Sequence, residues 1–421
     1  MNVLVLGGYG FIGLEAARRL TGAHRVAALG RDMGYGRRVL PDASWVQADI
    51  AALDTVEKWT PLLGGIDVVV NASGALQDGA RDNLAAVQDI AIRALIGACE
   101  VTSVKRFVQI SAPGVASTGV PAFLSTKAAA DDALGRSKLD WVILRPGLVW
   151  GRTATGGTAL VRMLSVFPLV QPLMLAGARV QMVDIDDVID AIVAAVEGAT
   201  PARTDVDLVE ASPRSLAEIV ASVRRWHGVE PPLFSLPVPH AFGAVVARCA
   251  DMAGWLGWRS PLRTTSLRAL ERGVVGTPSA PIASFDAALQ RRPATRQDRV
   301  FAITQLLLPL IVLCLSAFWI VSGFVGLMRI EAAVSVLPDH VAKAEALVMA
   351  GALADIVLGL SLLWRPWARA ACFGMVALTI AYLAAGTWLT PQLWTDPLGP
   401  FVKTLPAAIL ALVCAALLEE R

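Results

Sequence analysis

Val3-Leu4-Val5-Leu6-Gly7-Gly8-Tyr9-Gly10-Phe11-Ile12-Gly13 is the stretch on which the reading of this chain turns. Four apolar residues form a strand, glycines follow at once at 7, 8, 10 and 13, and residues 13–20 continue at helical spacing. The glycines satisfy both GxGxxG and GxxGxxG. After a strand and before a helix they allow a tight turn, and they let backbone N–H groups and a helix N-terminus approach a pyrophosphate. The expectation is a dinucleotide-binding turn, set against a glycine turn of purely structural use. No basic segment precedes the strand, so the N-terminus reads as a first strand and not as a signal peptide.

Further strand-forming runs lie at 25–29, 44–48, 67–71, 106–111 and 141–144, with helical patterns at 82–98 and 125–135. Near-continuous apolar strands alternating with helices imply an α/β fold, a doubly wound parallel sheet of Rossmann type. From about residue 151 the pattern loosens. Helices are expected at 186–196 and 215–227, as in a small substrate lobe folded over the strand ends.

The 421 residues are 55% hydrophobic and 17% charged, with a mean hydropathy of +0.58. That is apolar for a wholly soluble enzyme. Of 72 charged residues, 13 lie after residue 301. The approach to that boundary, Arg291-Arg292-Pro293-Ala294-Thr295-Arg296-Gln297-Asp298-Arg299, is polar, basic and broken by proline. The expected organisation is therefore a nucleotide-binding domain with its lobe over 1–280, a linker over 281–300, and an all-α four-helix transmembrane bundle over 301–421. Apolar stretches at 301–328, 344–364, 370–389 and 401–418 approach or exceed the roughly 20 residues that cross a bilayer core. Trp364, Trp367, Trp388 and Trp394 stand near their ends, as in an interfacial aromatic belt. Arg292, Arg296, Arg299, Arg365, Arg369 and Arg421 flank one side, so the positive-inside rule puts the N-terminal domain and the C-terminus in the cytoplasm, with the chain in the inner membrane.

A net charge of +2 and the absence of basic runs argue against nucleic acid. The five cysteines are scattered without CxxC spacing or histidine partners, so they read as structural thiols and no metal site is expected. At the second strand's end an NAD site offers a carboxylate to the ribose. Here Gly30 and Arg31 come first and Asp32 only afterwards, which favours NADP(H) over NAD(H) with Arg31 near a 2′-phosphate. The alternative is that Arg31 is a solvated loop residue.

These stations together resemble the short-chain dehydrogenase/reductase (SDR) superfamily in its extended and atypical branches. Besides the glycine turn there are Asp49-Ile50, Asn71-Ala72-Ser73-Gly74, Ser111, Lys127, Arg145-Pro146-Gly147 and Val183-Asp184-Ile185-Asp186-Asp187-Val188. The resemblance implies that Gly7, Tyr9, Gly10, Phe11, Ile12 and Gly13 form the cofactor turn. It implies that Asp49 and Ile50 flank the adenine, and that Ala72 and Gly74 line the cleft. Lys127 would hold the nicotinamide ribose and Pro146 would approach the nicotinamide. Lys127 and Ser111 are the catalytic candidates. The family's catalytic tyrosine stands four residues before the lysine, and here that residue is Phe123. A phenyl ring cannot donate a proton to a carbonyl. Asp131 and Asp132 follow one turn after Lys127 and are expected on a solvated helix face.

In the apolar half Asp355 is the one carboxylate deep inside a span, a functional candidate whose structural role would be a helix-packing hydrogen bond. Trp394-Thr395-Asp396-Pro397-Leu398-Gly399-Pro400, followed by Lys403 and Pro406, resembles the end of DoxX-like four-helix membrane domains, some of which are linked to quinone and sulfur redox chemistry. No histidine pair lies in the spans to hold haem. The expectation is a membrane-anchored NAD(P)(H)-binding oxidoreductase with a small, lipophilic or quinone-like substrate and the lipid bilayer as its partner. The alternative is a non-catalytic NADP(H)-binding sensor or assembly module.

Overall fold

The computed structural model describes residues 1–74, 83–115, 121–397 and 399–418. Its first part runs β1 (Asn2–Leu6), α1 (Phe11–Leu20), β2 (Arg25–Gly30), α2 (Met33–Val39), β3 (Ser44–Gln47), α3 (Val56–Trp59), β4 (Val68–Asn71), α4 (Ala91–Val101), β5 (Arg106–Ile110), α5 (Ala122–Arg136) and β6 (Asp140–Pro146). The chain continues through β7 (Leu148–Trp150), α6 (Gly156–Ser165), β8 (Val170–Leu173), β9 (Arg179–Val180), β10 (Met182–Asp184), α7 (Ile185–Val196), β11 (Thr204–Leu208), β12 (Arg214–Ser215), α8 (Leu216–Trp226), β13 (Phe234–Pro237), α9 (His240–Trp255), α10 (Thr264–Arg272) and α11 (Phe285–Arg291). It ends with α12 (Arg296–Met328), α13 (Ile330–Val334), α14 (Ala344–Leu363), α15 (Arg365–Leu389) and α16 (Pro400–Leu417). Two compact units divide these elements: Met1–Met252 with Ser260–Arg299, and Ala253–Arg259 with Val300–Arg421.

Seven strands form one sheet in the order β11-β6-β5-β4-β1-β2-β3, every neighbour parallel. Strand β1 shows why both faces must be covered. Val3 and Val5 pack with Ala16, Leu20, Val188 and Ile192 from α1 and α7. Leu4 and Leu6 point the other way, to Trp59, Ile92 and Leu95. Side chains alternate along a strand, so an unbroken apolar run demands helices on either side. The strand order reverses between β1 and β4, the point at which open α/β sheets bind their ligands.

Strand β11 was not foreseen. Its sequence Thr-Asp-Val-Asp-Leu carries two charges and only Leu208 is fully buried, as suits an edge strand paired on one side to β6. The helix expected at 82–98 is, where described, a π-helical turn at Ala86–Ile90 running into α4; residue 82 lies outside the described residues.

The lobe has its own core of Trp150, Val161, Ile219, Val223, Phe285 and Leu289. Phe285, Ala288 and Leu289 all belong to the 281–300 stretch expected as a linker, and all three are buried on α11. Their i, i+3, i+4 spacing is a short apolar stripe that the surrounding arginines conceal. Arg292 continues the attachment: it pairs with Asp184 at 2.7 Å, and its backbone carbonyl accepts the Trp226 indole N–H at 2.6 Å.

In the second unit α12, α14, α15 and α16 are each long and apolar enough to cross a membrane, so the chain is a multi-pass membrane protein with four candidate spans. Helices α12 and α14 meet through glycines. A Cβ on Gly323 would lie 2.3 Å from the Ala352 carbonyl, and one on Gly359 3.0 Å from that of Ser316. Ser316 Oγ donates to the Gly359 carbonyl at 2.8 Å. Asp355 is buried and accepts from Tyr382 Oη at 2.8 Å and Ser322 Oγ at 3.1 Å, tying α12, α14 and α15 together.

Candidate functional site

The turn after β1 needs its glycines for stated reasons. Gly7 has φ +68°, a conformation that side chains disfavour. A Cβ on Gly8 would meet Ala28 Cβ at 2.6 Å, and one on Gly13 would meet the Gly7 carbonyl oxygen at 2.2 Å. Gly10 N–H donates to that same oxygen at 2.7 Å, so the loop folds back onto the start of α1. No side chain caps Gly10, which leaves the first-turn N–H groups of α1 without a side-chain acceptor. Such a cradle, closed by bare backbone at the β1/β4 switch point, fits a dinucleotide pyrophosphate. Phe11 and Ile12 pack inward against the sheet core.

Tyr9 covers the end of β2. A Cβ on Gly30 would fall 2.3 Å from its ring, and its hydroxyl oxygen accepts the N–H groups of Arg31 (2.9 Å) and Asp32 (3.1 Å). The ring stacks near Trp45 at 5.9 Å and meets Tyr35 edge-on at 5.6 Å. Asp32 uses a carboxylate oxygen to cap α2, accepting from Tyr35 N–H at 2.8 Å. Arg31, Arg37 and Arg38 are exposed around this end. Asp49 similarly caps the short 3-10 turn Ile50–Ala52 through Ala51 N–H, and Ile50 is buried beneath it.

The ends of β4, β5 and β6 converge on α5. Asn71 accepts from both N–H and Oγ of Ser73 and donates to Gln109, which shapes the segment leading through Ala72 to Gly74. A Cβ on Gly74 would sit 3.6 Å from Lys127 Nζ, so the lysine reaches the segment that leaves β4. Lys127 Nζ donates to the Ile110 carbonyl at 2.9 Å. An ammonium has three hydrogens, so one such bond leaves two for other acceptors. Burial pulls the lysine below its ordinary pKa, and the nearby Asp131 partly offsets that shift. Pro146 ends β6 and pairs in register with Leu208 of β11. Phe123, half-buried on α5, stands where a phenol would be.

Asp131 corrects the sequence-based expectation. Asp132 is exposed, but Asp131 is buried, accepting from Ser111 Oγ at 2.6 Å and facing Arg145 at 3.4 Å. Burial raises its pKa, while Ser111, Arg145 and Lys127 pull it down. The consequence falls on Ser111: its single hydrogen is given to Asp131 and is not free for a substrate carbonyl. The available signal was spacing, since Asp131 is four residues after Lys127 and lies on the same helix face.

A family model described as NAD(P)H-binding matches residues 7–167, and one described as the DoxX-like family matches residues 316–412. The N-terminal domain is an NAD(P)H-binding Rossmann domain, and the C-terminal domain is DoxX-like. The chain is 22% identical to the ceramide reductase of Caulobacter vibrioides over 240 residues, covering 55% of this chain and 74% of that protein. The NAD complex of Bacillus cereus UDP-glucuronic acid 4-epimerase aligns at 20% identity and a TM-score of 0.47, covering 56% of this chain and 88% of its own. Thermotoga maritima UDP-glucose 4-epimerase aligns at 16% identity and a TM-score of 0.47, covering 72% and 97%.

Proposed function

We propose that this protein is a membrane-anchored NADP(H)-dependent oxidoreductase that reduces a lipophilic carbonyl compound, with Lys127 holding the proton that the product alcohol receives. The observation that carries the reading is Lys127: a half-buried lysine beside Gly74, with ammonium hydrogens to spare and a lowered pKa. When bound, the nicotinamide supplies a hydride. Lys127 supplies what Phe123 cannot, a proton at Nζ for the carbonyl oxygen. Asp131 and Arg145 fix the floor of the site and hold Ser111 in one rotamer. Gly7, Tyr9, Gly10, Gly13, Ala72, Gly74 and Pro146 would line the cofactor, with Asp49 and Ile50 near its adenine.

A lipid-like substrate is supported by the four spans and by the distant relationship to a ceramide reductase. The preference for NADP(H) rests on exposed Arg31 at the end of β2 and on Asp32 being occupied as a helix cap. Arg365 and Arg369, beside the α14–α15 turn, support a cytoplasmic face for the SDR-like domain.

A second reading has one observation in its favour. With Phe123 in place and the Ser111 hydrogen committed to Asp131, neither residue can donate to a carbonyl, as in a binding module without turnover. Detergent-purified protein, NADPH and a panel of long-chain ketones and quinones separate the two. Turnover that is lost in Lys127→Ala, and that falls with rising pH earlier than an ordinary lysine would titrate, supports the reductase. Tight NADPH binding with no turnover on any acceptor establishes the module instead. Arg31→Ala tests the cofactor: it should weaken NADPH and leave NADH unchanged, and equal effects on both would remove the preference.

A further inference from the structure

Helix α9 turns the wrong residues outward for a helix in water. Its large apolar side chains are exposed: Phe242 62%, Val245 55%, Met252 70% and Trp255 66%. Cys249 is exposed too, and the 242, 245, 249, 252 spacing places these residues along one face. The opposite face carries the small residues. A Cβ on Gly243 would strike Met174 Sδ at 1.8 Å, Ala247 is 1% exposed, and Gly254 is buried. Packing has been satisfied with glycine and alanine, while the bulk of the helix's apolar area is left unpartnered.

What should cover that face is indicated at the helix's C-terminal end. Residues Ala253–Arg259 belong to the same compact unit as the membrane spans. Arg365 N–H donates to the Leu256 carbonyl at 3.0 Å, and Trp258 Nε1 donates to the Leu363 carbonyl at 2.6 Å. Leu363 and Arg365 are the last and first residues of two successive spans, so this attachment lies where helices leave the hydrocarbon. Trp364 and Trp367, stacked at 5.7 Å and exposed, mark the same level. Arg248 on α9 and Arg259 just beyond its end are exposed, as on helices that meet anionic headgroups.

We infer that α9 is an interfacial helix whose Phe242, Val245, Met252 and Trp255 face is seated in the acyl–headgroup boundary of the bilayer that the spans cross. The seat requires neither a lipid substrate nor turnover. An apolar face of this kind binds by buried area together with attraction of basic residues to anionic lipid.

The test uses full-length protein in nanodiscs of phosphatidylcholine and phosphatidylglycerol, with Cys314→Ser to remove the other exposed thiol. A nitroxide is placed on native Cys249, and separately, with Cys249→Ser added, on Val245→Cys and Met252→Cys. A control label goes on Ala221→Cys of α8, an exposed site, also with Cys249→Ser. Power saturation with oxygen and with a water-soluble nickel chelate is then compared. The expected result is several-fold greater oxygen than nickel access at 245, 249 and 252, with the reverse at 221. Nickel access at these sites matching that at 221 would overturn the proposal. So would spin–spin broadening with loss of both relaxants, because a second copy would then cover the face. Because Cys249 is native, the reading does not depend on either introduced cysteine.

Discussion

Gly13→Ala tests the cofactor cradle without touching a charged or polar group. The added Cβ would lie 2.2 Å from the Gly7 carbonyl oxygen and 2.9 Å from its carbonyl carbon. Ordinary contact of a Cβ begins near 3.4 Å, so the turn and the helix start must separate by about 1 Å. That oxygen also receives Gly10 N–H at 2.7 Å, so the loop cannot yield without losing the bond that folds it back. The first-turn N–H groups would move away from a bound pyrophosphate. Losing one or two charge-assisted hydrogen bonds weakens NADPH binding roughly 10- to 100-fold. Fluorescence titration of NADPH against detergent-purified protein measures this, with thermal unfolding followed in parallel to show that the domain remains folded. Gly22→Ala is the control: its Cβ would meet only the Arg19 carbonyl, at an ordinary 3.5 Å. Affinity in Gly13→Ala within twofold of wild type, in a folded protein, would refute the argument that this turn carries the pyrophosphate.

Three further outcomes follow from buried groups. His227 Nδ1 lies 2.8 Å from Ser165 Oγ, whose own hydrogen goes to the Arg162 carbonyl, so the imidazole is the Nδ1–H donor. Burial and the charge of Arg162 lower its pKa from 6.5 to about 4. The unfolded chain therefore binds a proton that the lobe refuses, and the stability present above pH 6.5 is lost as pH falls towards 4. The loss is on the order of 3 kcal/mol. His227→Gln should flatten the denaturation midpoint over that window, and an unchanged slope would contradict the buried neutral state. Asp131→Ala leaves Ser111 and Arg145 without their acceptor, although Arg145 keeps Asp205 at 2.6 Å. Its cost is about 2–4 kcal/mol in thermal or denaturant unfolding, and Asp131→Asn should cost less. Gly359→Val pushes a side chain into Ile320 and the Ser316 carbonyl, costing about 1–3 kcal/mol in the bundle. Detergent melting should register it while NADPH affinity stays at the wild-type level; loss of affinity as well would mean that the substitution disturbs more than the bundle.

The glycine turn, the parallel sheet and the four apolar helices were legible in the sequence because each is a local pattern. A strand buried on both faces must be apolar throughout, a turn that admits a pyrophosphate must be bare, and a span must be long and uncharged. Phe123 was equally plain, since the missing phenol is a single position. The rest depended on residues distant in the chain. Asp131 reads as one more helix-surface acid until Ser111, 20 residues away, and Arg145, from β6, close on it. Residues 281–300 read as a linker because the run from Arg291 to Arg299 is polar, basic and broken by Pro293, and only the lobe's core shows what Phe285 is for. Strand β11 has too little hydrophobic pattern to announce itself, because an edge strand is held by backbone pairing with β6. Burial of an acid, the partner of a serine and the outward face of α9 are properties of three-dimensional neighbours. Local composition determined which elements form; only tertiary packing decided which polar groups lose water, and hence where the chemistry of this chain can reside.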